Sequence, residues 1–168
     1  AEAGTQVRKV YSDGGVALRA RVEAAVNVLK AQAGKAPVDA TRIGALGFCF
    51  GGSAVLELAR AGSDISGGVV SLHGGLDTYL PAQGNAIRTS VLVLNGADDS
   101  GVTEQNIVDF KKEMDAAKAD WQFVNFGGAV HCFTQPESNS PPNCVYNERA
   151  AKCAMRMMRN FFRERFGS

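Results

Sequence analysis

The sequence predicts an α/β fold with a mainly parallel sheet, and three observations support this prediction. Four short apolar runs are separated by stretches with helical periodicity, an alternation typical of a parallel sheet covered by helices on both faces. The first run leads directly into a glycine-flanked turn and then into a helical stretch. Chemically active side chains follow the runs, where open parallel sheets bind their ligands.

Length and composition fit one domain over residues 1–168. The chain is 45% hydrophobic and 21% charged, which is enough for a substantial core. Its formal net charge of +1 gives no strong field toward nucleic acid or a membrane surface, so neither partner is expected. No long apolar run and no signal-like N-terminal stretch occurs in this sequence.

Four cysteines bear on the expected compartment. They are Cys49, Cys132, Cys144 and Cys153. If Cys49 is a nucleophile, it must stay free, and the three remaining cysteines cannot all pair in disulfides. No Cys-x-x-Cys pair occurs, so no zinc site and no bound metal are expected. We therefore expect a reducing, cytoplasmic location.

The N-terminal part contains one clear helix. Residues 1–15 are polar and glycine-rich and are predicted to form a loop, with at best a weak extended run at 5–11. Apolar residues at helical spacing predict an amphipathic helix over about 16–32. Gly34 and Pro37 are typical of its end.

The remainder alternates between strands and helices. Strands are predicted at 43–48, 68–72, 90–95 and 121–126, and helices at 52–61, 103–117 and about 146–166. Two connections are long. Residues 73–89 should hold a short element or line a pocket. Residues 135–143 contain three prolines and cannot be helical throughout.

The segment GFCFG, residues 47–51, lies between the first strand and its helix. Its Gly-x-Cys-x-Gly pattern predicts a nucleophile elbow with cysteine in place of serine, a sharp turn that exposes Cys49. The helix N-terminus would favour its thiolate. The competing interpretation is a buried structural cysteine beside packing glycines. No lysine follows the glycines and the spacing Gly-x-Gly-x-x-Gly is absent, which excludes the two common phosphate-binding loops.

An acid and a base follow the later strands. Asp98 and Asp99 come after the third strand, and His131 comes after the fourth. Since the carboxyl ends of parallel strands meet at one sheet edge, these side chains can lie near Cys49. The chain order nucleophile, acid, histidine is that of the α/β-hydrolases, which favours catalysis over a structural cysteine.

Two choices remain among these residues. Asp99 is preferred as the acid by resemblance to the α/β-hydrolases, which commonly place the acid three residues beyond a turn glycine with an aliphatic residue three positions later, as Gly96 and Val102 are here. Asp98 then becomes a turn residue. His73 precedes the acid and fits the order poorly, so it is predicted to be a pocket-wall or structural residue.

The chain resembles the dienelactone hydrolase family in VDATRIGALGFCFGG, VVSLHGGL, VLVLNGADDSGVT and FGGAVHCFTQPE, within residues 38–137. The resemblance implies a three-layer α/β-hydrolase fold and hydrolysis of lactones or small esters without a cofactor. It implies Cys49 as nucleophile, Asp99 as acid and His131 as base.

The implied reaction proceeds through a thioester on Cys49. The backbone N–H of Phe50, directly after the nucleophile, is predicted to be one donor of the oxyanion hole. His73 and Phe133 are candidates for the wall of the substrate pocket.

The sequence departs from the family pattern in two places. Members of the family hold the substrate carboxylate with an arginine shortly after the catalytic histidine, and residues 132–135 contain none. Other lactones or carboxylic esters are therefore at least as good candidates as dienelactone.

Family members are also longer at the N-terminus. Residues 1–42 offer no counterpart of the upstream strands, of a second oxyanion donor or of an activating glutamate. We therefore expect an N-terminally truncated fold with its first strand at an open sheet edge. The chain would be a fragment, or a homodimer or a complementing N-terminal segment would complete the sheet. The alternatives to an active hydrolase are a weak or inactive binding module and a thiol-redox sensor pairing Cys49 with Cys132.

Overall fold

A computed structural model describes Thr5 and residues 9–167. Its main sheet has four strands: β1 (Ala45–Phe48), β2 (Val69–Leu72), β3 (Val91–Gly96) and β4 (Trp121–Phe126). Four long helices of the described residues surround it: α1 (Val16–Lys30), α2 (Phe50–Arg60), α3 (Glu104–Ala116) and α4 (Glu148–Phe166). A small antiparallel pair, β5 (Asn139–Ser140) and β6 (Cys144–Val145), lies before α4.

The strands of the main sheet are parallel and follow the order β1-β2-β3-β4. Phe48 pairs with Leu72, and Leu72 pairs with Leu94, so neighbouring strands end nearly level. The turns that follow β1, β2, β3 and β4 consequently meet at one edge of the sheet. This is the edge at which the sequence predicts the reactive side chains.

Alternate residues of the central strands face opposite layers of helices. Val69, Val91 and Val93 join an apolar cluster with α2 and α3, against which α1 also packs. Leu72 and Leu94 join a second cluster with α4 on the other face. The predicted three-layer α/β fold is confirmed, since both faces of the sheet are covered.

The predicted elements agree with the structure to within a few residues, except near the N-terminus. Thr5 and residues 9–11 are helical, so the predicted loop and the weak extended run at 5–11 are wrong for these residues. Tertiary contacts account for the difference. Val10 packs against Leu18 and Ala54, and the Tyr11 ring meets the Phe50 ring edge-on at 6.0 Å. The rest of the prediction for 1–15 includes residues 1–4 and 6–8, which lie outside the described residues.

The connection 73–89 lines a pocket, as predicted, and contains neither helix nor strand. Buried Arg60 anchors it. The guanidinium lies 3.0 Å from a carboxylate oxygen of Glu57 and 2.8 Å from one of Glu113, and it donates to the Leu76 carbonyl oxygen at 2.7 Å. Glu113 also accepts the Ala82 N–H at 2.8 Å. A buried charge needs such partners, and they fix this connection onto α2 and α3.

Strand β1 is an edge strand, as the sequence predicts. Within the described part of the chain no strand pairs with its outer side, and Leu46 is 45% exposed. A groove of about 470 Å³ runs beside it, lined in part by Ile43, Phe162 and Phe166. Unpaired N–H and C=O groups on such an edge favour association with another strand.

None of the helices in residues 9–167 is long and apolar enough to cross a lipid bilayer.

Candidate active site

The turn between β1 and α2 forces Cys49 into a backbone conformation rare for a side-chain-bearing residue. Its φ is 54° and its ψ is −122°. Gly47 permits the turn, because a Cβ there would lie 2.0 Å from the Gly51 carbonyl oxygen. Cys49 is the N-cap of α2, and its thiol is free and exposed. The sequence therefore forms the sharp elbow that its glycine pattern predicts.

The structure brings Cys49, His131 and Asp99 into one hydrogen-bonded chain. His131 Nε2 lies 2.9 Å from Cys49 Sγ, and His131 Nδ1 lies 2.7 Å from Asp99 Oδ2. The Asp99 side chain is only 3% exposed, whereas Asp98 is exposed. A thiol, an imidazole and a buried carboxylate in this order can transfer a proton from sulfur while the carboxylate orients the imidazole.

The loop after β3 holds the buried carboxylate in place. Asp99 Oδ1 accepts the Gly101 N–H at 2.8 Å, which leaves Oδ2 for His131. Asp98 instead donates its N–H to the Ala129 carbonyl oxygen at 2.9 Å, across to the loop that carries His131. The two adjacent aspartates therefore differ in role: Asp99 contacts the imidazole, and Asp98 tethers the loops through its backbone.

A disulfide between Cys132 and Cys144 secures the loop of His131. Beside it, the His131 carbonyl oxygen accepts the Val145 N–H at 3.2 Å. The sequence leaves the pairing of the three cysteines other than Cys49 open, and the fold decides it: residues twelve apart in sequence come to a Cα–Cα distance of 5.0 Å and bond, while Cys153 stays free. The bond also removes Cys132 as a thiol partner for Cys49, so the redox-sensor interpretation loses its second cysteine.

His73 and Phe133 lie beneath the site and not in a pocket wall. Both are 0% exposed. His73 Nδ1 accepts the Cys49 N–H at 3.2 Å, and its Nε2 lies 2.8 Å from Thr134 Oγ1. The His73 ring packs edge-on against the His131 ring at 5.2 Å and against Phe133 at 5.4 Å. The prediction that these residues line a pocket is corrected accordingly, and of the two roles predicted for His73 the structural one agrees with its complete burial.

The backbone N–H of Phe50 belongs to the first turn of α2. N–H groups of a first turn have no acceptor within their own helix and point toward its positive end. Since Phe50 directly follows Cys49, its N–H suits an oxyanion formed on an acyl group attached to the sulfur.

A cavity of about 890 Å³ opens beside this first turn. Its wall includes Ser53, whose N–H donates to the Cys49 carbonyl oxygen at 3.2 Å. Among the described residues, three carboxylates line the cavity, those of Asp77, Asp109 and Glu113, and none of the described lysines or arginines does. None of the three residues of the hydrogen-bonded chain lines it. The cavity thus neighbours the elbow and presents an acidic, partly aromatic wall.

Acid should weaken the fold through His73. Burial, and secondarily the neighbouring His131, lower the pKa of His73 from 6.5 to about 4, with Asp99 opposing the shift. Between these pH values the unfolded chain binds a proton that the folded chain does not. The stabilising contribution is therefore complete above pH 6.5 and is lost as the pH falls to about 4. The loss should be about 3 kcal/mol in the free energy of unfolding.

Urea denaturation across this pH range measures the effect. His73→Asn is the matched variant, because asparagine does not titrate and tolerates a positive φ. Carboxylates contribute equally to both proteins, so the difference between the two curves isolates His73. Parallel curves for wild type and variant would contradict the expected titration.

Comparisons with known proteins agree with this arrangement. The sequence pattern of the dienelactone hydrolase family matches residues 1–166. The protein K02A2.1 of Caenorhabditis elegans is 35% identical over 162 residues, which cover 92% of this chain and 98% of that protein. The solved structure of P91, a dienelactone hydrolase-like promiscuous phosphotriesterase from metagenomic libraries, superposes with a TM-score of 0.85 at 37% identity. That superposition covers 96% of this chain and 66% of the other.

A further solved structure, m3DLH, superposes with a TM-score of 0.84 at 38% identity and covers 94% of this chain and 64% of the other. The present chain thus spans slightly less than two thirds of the two solved chains. The shared architecture is the α/β-hydrolase fold. Because the family pattern extends over residues 1–166 and the solved structures share the fold over at least 94% of the chain, this chain belongs to the dienelactone hydrolase family.

Proposed function

We propose that this chain hydrolyses lactones or small carboxylic esters through Cys49, His131 and Asp99. The observation that carries the proposal is the hydrogen-bonded chain from Cys49 Sγ through the His131 ring to Asp99 Oδ2. These three hydrogen-bonded side chains lie at the edge of a parallel sheet where α/β folds place their reactive groups. Family membership and the neighbouring hydrolase structures support the same reaction class.

The reaction begins when His131 Nε2 takes the Cys49 thiol proton and the sulfur attacks the ester carbonyl carbon. The Phe50 N–H donates to the resulting oxyanion. Collapse breaks the ester C–O bond, and His131 returns the proton to the departing alkoxide. The acyl group remains on Cys49 as a thioester. His131 then takes a proton from water, whose oxygen attacks the thioester carbonyl, and the thiol leaves with a proton from His131. Asp99 orients the imidazole and stabilises its cation throughout.

The lining of the neighbouring cavity favours neutral esters as substrates over anionic ones. In the part of the chain that the structure describes, its lining contains Asp77 and Asp109 but no basic side chain, and residues 132–135 contain no arginine. A substrate carboxylate beside these groups would be repelled and left without a partner. Short neutral esters and unsubstituted lactones are therefore preferred to dienelactone, which carries a carboxylate.

Turnover of p-nitrophenyl acetate and butyrate tests the proposal. We expect release of p-nitrophenol above the buffer rate, and a mass increase of one acyl group on Cys49 when the reaction is quenched early. Of two matched lactones, with and without a carboxylate, the neutral one should be hydrolysed faster. Failure to release p-nitrophenol and to acylate Cys49 would overturn the proposal and favour the non-catalytic binding module.

The 37% sequence identity to P91, a promiscuous phosphotriesterase, favours phosphotriester hydrolysis as a second candidate activity. A p-nitrophenyl phosphotriester in the same assay tests it, because its products include the same chromophore. Turnover would place phosphorus on the Cys49 sulfur in place of the acyl group, and a mass spectrum of the quenched protein distinguishes the two adducts.

The open edge of β1 bears on how active the chain is alone. We infer that a second copy or a complementing segment pairs with this edge and covers the groove beside Leu46. Loss of one oxyanion donor costs about 100- to 1000-fold in rate, so a chain without the second donor should be a poor esterase. Light scattering should show association, which Leu46→Lys should weaken. A monomer with brisk turnover would contradict this inference.

A further inference from the structure

We propose that His73 is a positioning residue that ties the nucleophile elbow to the loop of the catalytic base. It would do so as a neutral imidazole protonated on Nε2. The inference rests on the proposed function of Cys49 and His131, and it adds a residue that touches neither substrate nor reacting atoms.

The contacts of His73 join two parts of the site that are far apart in sequence. Its Nδ1 accepts the backbone N–H of Cys49 at 3.2 Å, and its Nε2 lies 2.8 Å from the Thr134 hydroxyl. Cys49 belongs to the elbow after β1, whereas Thr134 follows His131 in the loop after β4. The imidazole therefore bridges the turn that carries the nucleophile and the loop that carries the base.

The partners determine which nitrogen holds the proton. A backbone N–H can only donate, so Nδ1 must offer its lone pair to Cys49. The proton of the neutral ring then lies on Nε2 and is donated to Thr134 Oγ1. A proton on Nδ1 would point at the Cys49 N–H, and two donors cannot form a hydrogen bond. The Cys49 N–H thus selects the tautomer, and the Thr134 hydroxyl supplies the acceptor for its Nε2–H.

The bridge lies where the backbone is most constrained. Cys49, His73 and Cys132 all have positive φ values, of 54°, 40° and 60°, and all three adjoin the site. Residues in such conformations persist only where their surroundings hold them. The Cys49 N–H also donates to the Leu72 carbonyl oxygen at 3.0 Å, so the elbow has two acceptors, of which His73 supplies the second.

His73 also supports the ring of the base. The two imidazoles pack edge-on with centroids 5.2 Å apart, and Phe133 contacts His73 from another side. A movement of His73 would therefore displace His131 relative to Cys49 Sγ. Small displacements of this kind lower the rate of the chemical steps strongly and substrate affinity little.

Thr134→Val is the first test, because valine keeps the shape of threonine and removes the acceptor for Nε2–H. We expect kcat to fall roughly ten- to a hundredfold, with KM changed less than about twofold. Thr134→Ser retains the hydroxyl and should restore most of kcat. Circular dichroism and thermal melting establish that each variant is folded.

A double-variant cycle separates positioning from packing. In His73→Asn the side-chain oxygen can still accept the Cys49 N–H, but the link to Thr134 is lost. If Thr134 acts through His73, Thr134→Val should cost almost nothing further in the His73→Asn background. Additive losses, or an unchanged kcat in Thr134→Val, would overturn the proposal.

Nitrogen NMR of the histidine rings gives a readout that needs no substrate. Wild-type protein at neutral pH should show His73 with an unprotonated Nδ1 and a protonated Nε2. The opposite tautomer would overturn the proposal whatever the kinetics. If no ester is hydrolysed at all, the proposed function fails. The NMR spectrum of the histidine rings and the iodoacetamide reactivity of Cys49 in Thr134→Val then still decide whether the bridge through His73 exists.

Discussion

Cys49→Ala is expected to abolish ester hydrolysis: kcat should fall to the buffer rate, a loss that reaches about a millionfold in complete triads that lose their nucleophile. Alanine cannot form the thioester, and neither His131 nor Asp99 can replace the missing sulfur. Any remaining turnover would come from water in a binding site with one oxyanion donor. Initial rates with p-nitrophenyl butyrate measure the loss. Full activity in the alanine variant would refute the assignment of the nucleophile.

The chain offers a matched control for this experiment. Cys153 is the other free thiol among the described residues, and it lies on α4 away from the hydrogen-bonded chain. Cys153→Ala should keep wild-type turnover, and iodoacetamide should modify Cys49 faster than Cys153. Cys49→Ser should be strongly impaired but measurable, because the geometry is set for a larger and more acidic sulfur nucleophile.

Asp99→Asn is expected to lower kcat by about 10,000-fold, the loss seen when a triad aspartate becomes an amide. The carboxylate accepts the His131 Nδ1–H at 2.7 Å and the Gly101 N–H at 2.8 Å. An amide can turn its NH₂ group toward His131 and favour the wrong tautomer. Because the side chain is buried, the misplaced amide cannot exchange its partner for water.

Asp98→Asn is the matched control, since it makes the same chemical change one residue away. Asp98 is exposed and its carboxylate contacts neither His131 nor Cys49. Asp98→Asn should leave kcat unchanged and lower the free energy of unfolding by about 1 kcal/mol or less. Rates from a single ester and one thermal melt for each variant give both quantities. A larger loss of kcat in the Asp98 variant would assign the acid to the wrong neighbour.

The sheet, and the proximity of Cys49, Asp99 and His131, could be predicted because their signals are local. The run from Ile43 to Phe48 is apolar and ends in glycines, and the later strands carry equally clear β-rich runs. The spacing from Gly96 that is common in α/β-hydrolases selects Asp99, the aspartate that contacts His131 in the structure. These features depend on neighbours within a few residues, where side-chain chemistry and backbone geometry are tightly linked.

Features set by long-range packing could not be predicted in this way. Val10 and Tyr11 are helical because they pack on α1 and α2, and nothing in their own sequence requires a helix. The inward orientation of His73 depends on Thr134, 61 residues away. The Cys132–Cys144 bond depends on a turn and a small strand pair that bring the two sulfurs together. A proline-rich connection alone gives no sign of that approach.

The Cys132–Cys144 bond also makes a covalent ring of the connection between the site and the last helix. A protease that cut once inside this ring would leave the two pieces joined through sulfur. On a gel the nicked chain would migrate near full length until a thiol was added, and then separate into two bands. His131 and α4 would stay on one molecule after the cut, so damage to this exposed, proline-rich connection need not detach the part that carries Cys49, Asp99 and His131 from the last helix.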